Sequence, residues 1–149
     1  MVIPIIVGRG KVMSYALKKL MEKYVEEIRK IYGSHLRKVI LYGSYARGDF
    51  HPDSDIDIMI LLDITDLDLK EYNIKLSYMT FDFNLDHDLD IKPIAKNEEH
   101  FKKWLDNYPF YANINREGVV LYGAACWRGK REKERFIDMV EKYCEAQLV

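Results

Sequence analysis

Two aspartates, Asp55 and Asp57, open an otherwise apolar run formed by Ile56, Ile58, Met59, Ile60, Leu61 and Leu62. In an extended chain alternate side chains share a face, so the two carboxylates project together while Ile56 and Ile58 point the other way. Carboxylates held side by side against apolar sequence are costly without a positive partner. A divalent cation is the natural one. Hard oxygen donors suit Mg²⁺, which takes one or two carboxylates plus substrate phosphates. Ten residues separate Asp55 from Gly43-Ser44, which follows the apolar run Val39-Ile40-Leu41. Gly43 lets backbone approach a phosphate chain, and Ser44, at a predicted helix N-terminus, adds amide and hydroxyl donors. Arg47 offers a planar fork for phosphate oxygens. The pattern reads as strand, small-residue turn, loop and second strand.

The string Gly43-Ser44-Tyr45-Ala46-Arg47-Gly48-Asp49, followed by Ser54-Asp55-Ile56-Asp57, resembles the signature of the DNA-polymerase-beta-like nucleotidyltransferases, and within them the minimal nucleotidyltransferase (MNT) branch. The chain contains its own control. Gly33-Ser34 is a second such pair, but at the same spacing Tyr45 stands where the first aspartate belongs. The resemblance spans roughly residues 14–125, and its motif about eighteen of them. It implies an α/β (α+β) nucleotidyltransferase fold, a small mixed sheet flanked by helices.

The resemblance also implies a third carboxylate on a neighbouring strand. Asp86, Asp88 and Asp90 share one face of an alternating stretch. Asp90, in Asp90-Ile91-Lys92-Pro93 ahead of Glu98-Glu99-His100-Phe101, fits the branch best, with Asp88 second. The implied mechanism is attack on the α-phosphorus of ATP, with two Mg²⁺ ions clamping the attacking and leaving oxygens. Asp55 and Asp57 would bridge both ions. Asp90 would hold the ion beside the nucleophile and take its proton. Asp49 fits either a functional acid near the site or turn chemistry, and Asp53 fits a role in capping or shaping the loop.

Elements that must position these groups follow from periodicity. Leu17, Leu20, Met21, Tyr24, Val25, Ile28 and Ile31 predict a helix from Ser14 to Tyr32, with Ser14 as N-cap and Gly33 as stop. Residues 38–42 and 55–62 read as strands, and 66–80 as a helix on the stripe Leu69, Tyr72, Leu76 and Met79. Alternation of Leu85, His87, Leu89 and Ile91 with aspartates predicts a strand over 85–94. Phe101, Trp104, Leu105 and Tyr108 predict a helix from Glu98 to Asn107, which Pro109 interrupts. A short helix over 110–116, an extended piece Val119–Tyr122 and a last helix over 130–147 complete the chain. Residues 1–12 suggest a short edge strand through Ile3, Ile5 and Val7, with Gly8-Arg9-Gly10 as a plain turn.

Composition bounds the function. With 149 residues, 48% hydrophobic and 32% charged, the chain is expected to form a single domain, with its motif core over 39–94. A net charge of −1 gives no global pull toward nucleic acid or anionic membrane, and no direct nucleic-acid binding is expected. No apolar run approaches membrane-spanning length. Cys126 and Cys144 lack framework spacing and suggest free thiols, hence a cytoplasmic location. His35, His51, His87 and His100 show no metal-ligand spacing. The MNT resemblance implies transfer of AMP from ATP to a protein hydroxyl. The acceptor it suggests is a tyrosine of a HEPN ribonuclease toxin, which makes this chain the antitoxin. A small-molecule nucleotidyltransferase and a non-catalytic binding antitoxin are the alternatives.

Overall fold

The computed structural model describes residues 5–7, 11–13 and 15–123. Strands β1 (Ile5–Val7) and β2 (Lys11–Met13) pair antiparallel, Ile5 opposite Met13. Helix α1 spans Tyr15–Tyr32, and a 3₁₀ turn over Gly33–His35 leads into β3 (Leu36–Tyr42). A single helical turn, α2 (Ser44–Arg47), precedes β4 (Ile56–Leu62). Then come α3 (Leu69–His87), β5 (Ile91–Asn97), α4 (Glu98–Lys103), α5 (Pro109–Glu117) and β6 (Val119–Gly123). The Ser14 cap, the Gly8–Gly10 turn, both cysteines and the helix expected over 130–147 lie outside the described residues.

The larger sheet has the order β5-β4-β3-β6. β3 runs antiparallel to β4 and β6, whereas β4 and β5 are parallel. This is the small mixed sheet flanked by helices that the sequence predicts. Both faces are covered, as the near-continuous apolar sequence of β4 requires. Val39, Leu41, Ile56, Ile58, Ile60 and Leu62 pack on one side in a cluster that holds Tyr24 and Ile28 of α1 and Leu76 and Phe83 of α3. Ile40, Met59 and Leu61 pack on the other against Phe101 of α4 and Tyr111 and Ile114 of α5. Alternation thus assigns Asp57, in phase with Met59 and Leu61, to the α4–α5 side.

Three sequence expectations change. Residues 85–94 are not one strand. α3 continues to His87, Asp88 takes the left-handed conformation at its C-cap (φ 52°), and the strand begins at Ile91. The Asn84 side chain decides this boundary. It donates to the Ile91 carbonyl (3.2 Å) and accepts from the Ile91 amide (2.9 Å), clasping the helix end to the strand start. α3 is also apolar on two sides, because Ile74, Tyr78, Phe81 and Leu85 are exposed. A period-2 reading could therefore intrude on its last turn. Pro93 sits within β5 because this is an edge strand, where a missing amide donor is tolerated. The helix expected over 98–107 stops at Lys103. Pro109 does not interrupt but opens α5 as its first residue, a position that needs no amide donor.

The two helices on one face are joined by a buried hydrogen bond between the Tyr24 hydroxyl and Thr80 Oγ1, at 2.7 Å. The Tyr24 ring meets Phe83 edge-on at 5.1 Å. Thr80→Val strands the tyrosine hydroxyl and is expected to cost about 1–3 kcal/mol of stability in urea unfolding. Adding Tyr24→Phe should recover most of that loss, since the pair then leaves no buried polar atom unmatched.

Candidate active site

The turn after β3 is built around Gly43, at φ 76° and ψ −151°, a region essentially restricted to glycine. A Cβ there would also collide with Asp57 Oδ2. Tyr42 pairs with Asp57 across the sheet, which is why the glycine and the carboxylate come so close. The α2 turn is closed by bonds from the Arg47 amide to the Gly43 carbonyl (3.0 Å) and from the Gly48 amide to the Ser44 carbonyl (2.9 Å). Buried Tyr45, stacked on Phe50 at 4.5 Å, and Ala46 root the turn in the core. Ser44 and Arg47 line a cavity of about 490 Å³.

The acidic groups are placed by the parallel pair. Ile56 lies opposite Ile91 and Asp57 opposite Lys92, and the Ile56 amide donates to the Asp90 carbonyl at 2.9 Å. One residue back in the same register, Asp55 neighbours Asp90. By alternation Asp55, Asp57, Asp90 and Lys92 share one side of the two strands. The Lys92 ammonium bonds Asp55 Oδ2 at 2.8 Å and reaches Asp90 Oδ2 at 3.9 Å.

The carboxyls respond differently. The hydrogen bond from Lys92 holds Asp55 below the usual carboxylate range. Hydrogen bonding with Asp55, then partial burial and the Asp55 charge, push Asp90 up. Burial, followed by the Asp55 charge, pushes Asp57 up, against the opposing pull of Lys92 and Arg47. Asp55 and Asp90 therefore behave as a pair rather than as independent acids. Asp88, the other sequence candidate for the third carboxylate, sits at the α3 C-cap instead of on a strand. Arg47 is held at the rim by Asp49 (3.3 Å) and Glu117 (3.8 Å).

The structure thus brings Gly43, Ser44, Arg47, Asp55 and Asp57 to one cavity, with Asp90 joined to it through Asp55. It adds groups that sequence reasoning missed. Phe110, Asn113 and Glu117 of α5 line the same cavity. Their spacing of three and four puts them on one face of the helix, which runs one residue past the expected 110–116 to include Glu117. Lys92 could have been found as the next same-face position after Asp90. Gly43→Ala is expected to displace the Asp57 carboxylate and to cost about 1–3 kcal/mol in backbone strain alone, read by urea unfolding.

The nucleotidyltransferase domain model matches residues 21–121. A Methanocaldococcus jannaschii protein named "Putative protein adenylyltransferase MJ0604" is 38% identical over 105 residues, 70% of this chain and 97% of that protein. A second from the same organism, "Putative protein adenylyltransferase MJ0141", is 31% identical over 94 residues, 62% of this chain and 92% of that protein. Among solved structures, the complex of tri-AMPylated Shewanella oneidensis HEPN toxin with MNT antitoxin is similar at 18% identity and a TM-score of 0.43. The match covers 88% of this chain and 89% of the matched one. That likeness is too loose to carry a partner or a target across. The family match and the similarity to two relatives, each covered over more than nine-tenths of its length, show that this chain belongs to the nucleotidyltransferase domain family and is a nucleotidyltransferase.

Proposed function

We propose that the chain transfers AMP from ATP to a hydroxyl group of a partner protein, using Mg²⁺. The observation that carries this reading is the meeting of Asp55 and Asp57 with the Gly43–Arg47 turn at one cavity. Names of relatives matched over more than nine-tenths of their length favour protein over small molecule as acceptor. The MNT-like motif points further, to a tyrosine of a HEPN-type toxin and to an antitoxin role for this chain.

The residues suit the cation. Asp55, Asp57 and Asp90 are oxygen donors on one side of two strands, and a single ammonium, Lys92, faces all three. Among the described residues, no three acidic, His or Cys side chains are placed to hold a metal ion together, so the fit rests on donor type and charge rather than on a formed cage. Three carboxylates against one ammonium leave negative charge for a hard cation to balance. Asp55 and Asp57 would hold Mg²⁺, which supplies charge neutralisation at the attacking and leaving oxygens. The Gly43–Ser44 backbone and the Arg47 fork bind the triphosphate. An acceptor hydroxyl oxygen bonds to the α-phosphorus as the bond to the pyrophosphate oxygen breaks. Asp90 takes the hydroxyl proton, and pyrophosphate leaves.

ATP labelled at the α- or the γ-phosphate separates the possibilities when each is incubated with the protein, Mg²⁺ and native lysate. The α-label should become attached to a protein. Asp55→Ala or Asp57→Ala should each lower that transfer at least about a hundredfold, because several kcal/mol of transition-state stabilisation is lost. Movement of the γ-label would mean phosphoryl transfer and would sink this mechanism. Label on a small molecule would move the acceptor class. Silencing of a bound partner without transfer would leave a binding antitoxin.

A further inference from the structure

Phe110 is an unusual residue to find at the mouth of a charged cavity. The residue is 47% exposed, and the cavity it borders is also lined by Ser44, Arg47, Asp55 and Asp57. It is fixed on one side by Tyr42, whose ring meets it edge-on at 5.6 Å. One turn along α5, the exposed Asn113 amide faces the same cavity. Arg116 Nη2 donates to Asn113 Oδ1 at 2.8 Å, which leaves the Asn113 NH₂ as the free donor. A half-exposed aromatic face beside a fixed amide donor suits a flat ligand with an apolar face and acceptor atoms on its edge. A nucleobase has that chemistry, and stacking of bases on aromatic side chains is a recurrent means of holding them. The cavity volume lies within the range of small-molecule and cofactor sites.

We infer that Phe110 and Asn113 form the nucleobase subsite of the ATP site, Phe110 stacking on the adenine and Asn113 donating to its edge. The inference rests on the proposed nucleotidyl transfer at the same cavity. It divides the work between two elements. The Gly43–Arg47 turn holds phosphate, and α5 holds the base. Glu117, a further turn along α5, pairs with Arg47 at 3.8 Å and so ties the two halves together. The Pro109–Glu117 helix is thereby a specificity element as well as a cover for the sheet.

The test compares two probes that share the phosphate chain and differ in the base. α,β-Methylene-ATP, which cannot transfer AMP, and inorganic tripolyphosphate are titrated calorimetrically into the full chain with Mg²⁺. Phe110→Ala should weaken the nucleotide about tenfold or more and leave tripolyphosphate unchanged. Asn113→Ala should weaken the nucleotide about threefold to tenfold, again with tripolyphosphate unchanged. Phe110→Trp, which keeps a stacking face, should retain binding, and its retained fold is the control against a merely structural effect. Unchanged nucleotide affinity in Phe110→Ala, or equal loss of both probes, overturns the base subsite while leaving the phosphate site standing. If the α-label still reaches protein but Phe110→Ala raises only the KM for the protein acceptor, the ring belongs to acceptor docking and the inference falls. If the unaltered chain binds neither probe, the proposed function falls as well.

Discussion

Parallel pairing of β4 with β5, in a register that sets Asp57 opposite Lys92, is the constraint on which the site depends. It fixes Asp55 beside Asp90 and puts an ammonium among like charges. A slip of β5 by one residue would turn Asp90 and Lys92 away from Asp55 and Asp57 and drive Ile91 out of the core. Burial prevents the slip. Ile56, Ile58 and Ile91 are each almost fully enclosed in the cluster under α1 and α3. The apolar side of these strands therefore holds the polar side in place. The Asn84 clasp on Ile91 guards the same register at the point where the strand begins.

The second side of the sheet explains how a short turn and a distant helix meet at one cavity. Ile40, Met59 and Leu61 bury Tyr111 and Ile114, which orients α5 with Phe110, Asn113 and Glu117 toward the carboxylates. Gly118 follows directly. A Cβ at that position would meet the Ile114 carbonyl and the Ile40 side chain, so the chain leaves α5 closely packed against β3. Site and core are alternate positions of the same elements. On β4, Asp57 faces the cavity and Ile58 the interior. On α5, Asn113 is exposed at the cavity, while Ile114 beside it is buried among Ile40, Met59 and Leu61 and only borders the cavity.

This arrangement accounts for what the sequence made legible. The Gly43-Ser44 turn and the Asp55–Asp57 pair could be read because their chemistry is local. One needs a backbone that only glycine adopts, and the other needs alternation over three residues. The α1 stripe was equally clear, since its apolar and charged residues separate cleanly by angle. The α3–β5 boundary was not, for two physical reasons. Leu85 is apolar yet exposed, and the helix ends through a side-chain clasp and a left-handed aspartate rather than through glycine or proline. The contribution of α5 was hidden because it is tertiary. Nothing in the spacing of Phe110 to Asp57 tells that they face one cavity.

Charge balance in the site is the last consequence of that register. Lys92 holds Asp55 ionised, while Asp90, hydrogen-bonded to Asp55, is pushed up. The ammonium favours the ionised form of both carboxylates, and it is Asp55 beside Asp90 that leaves Asp90 the readier of the two to accept a proton. An exposed lysine on a flexible stem can do this reversibly. It neutralises repulsion among the carboxylates without being rooted in the core. Arginine would serve less well in that position, because its planar fork would engage two carboxylates at once and hold them. A compact point charge keeps the acidic face assembled without locking two carboxylates in one fork.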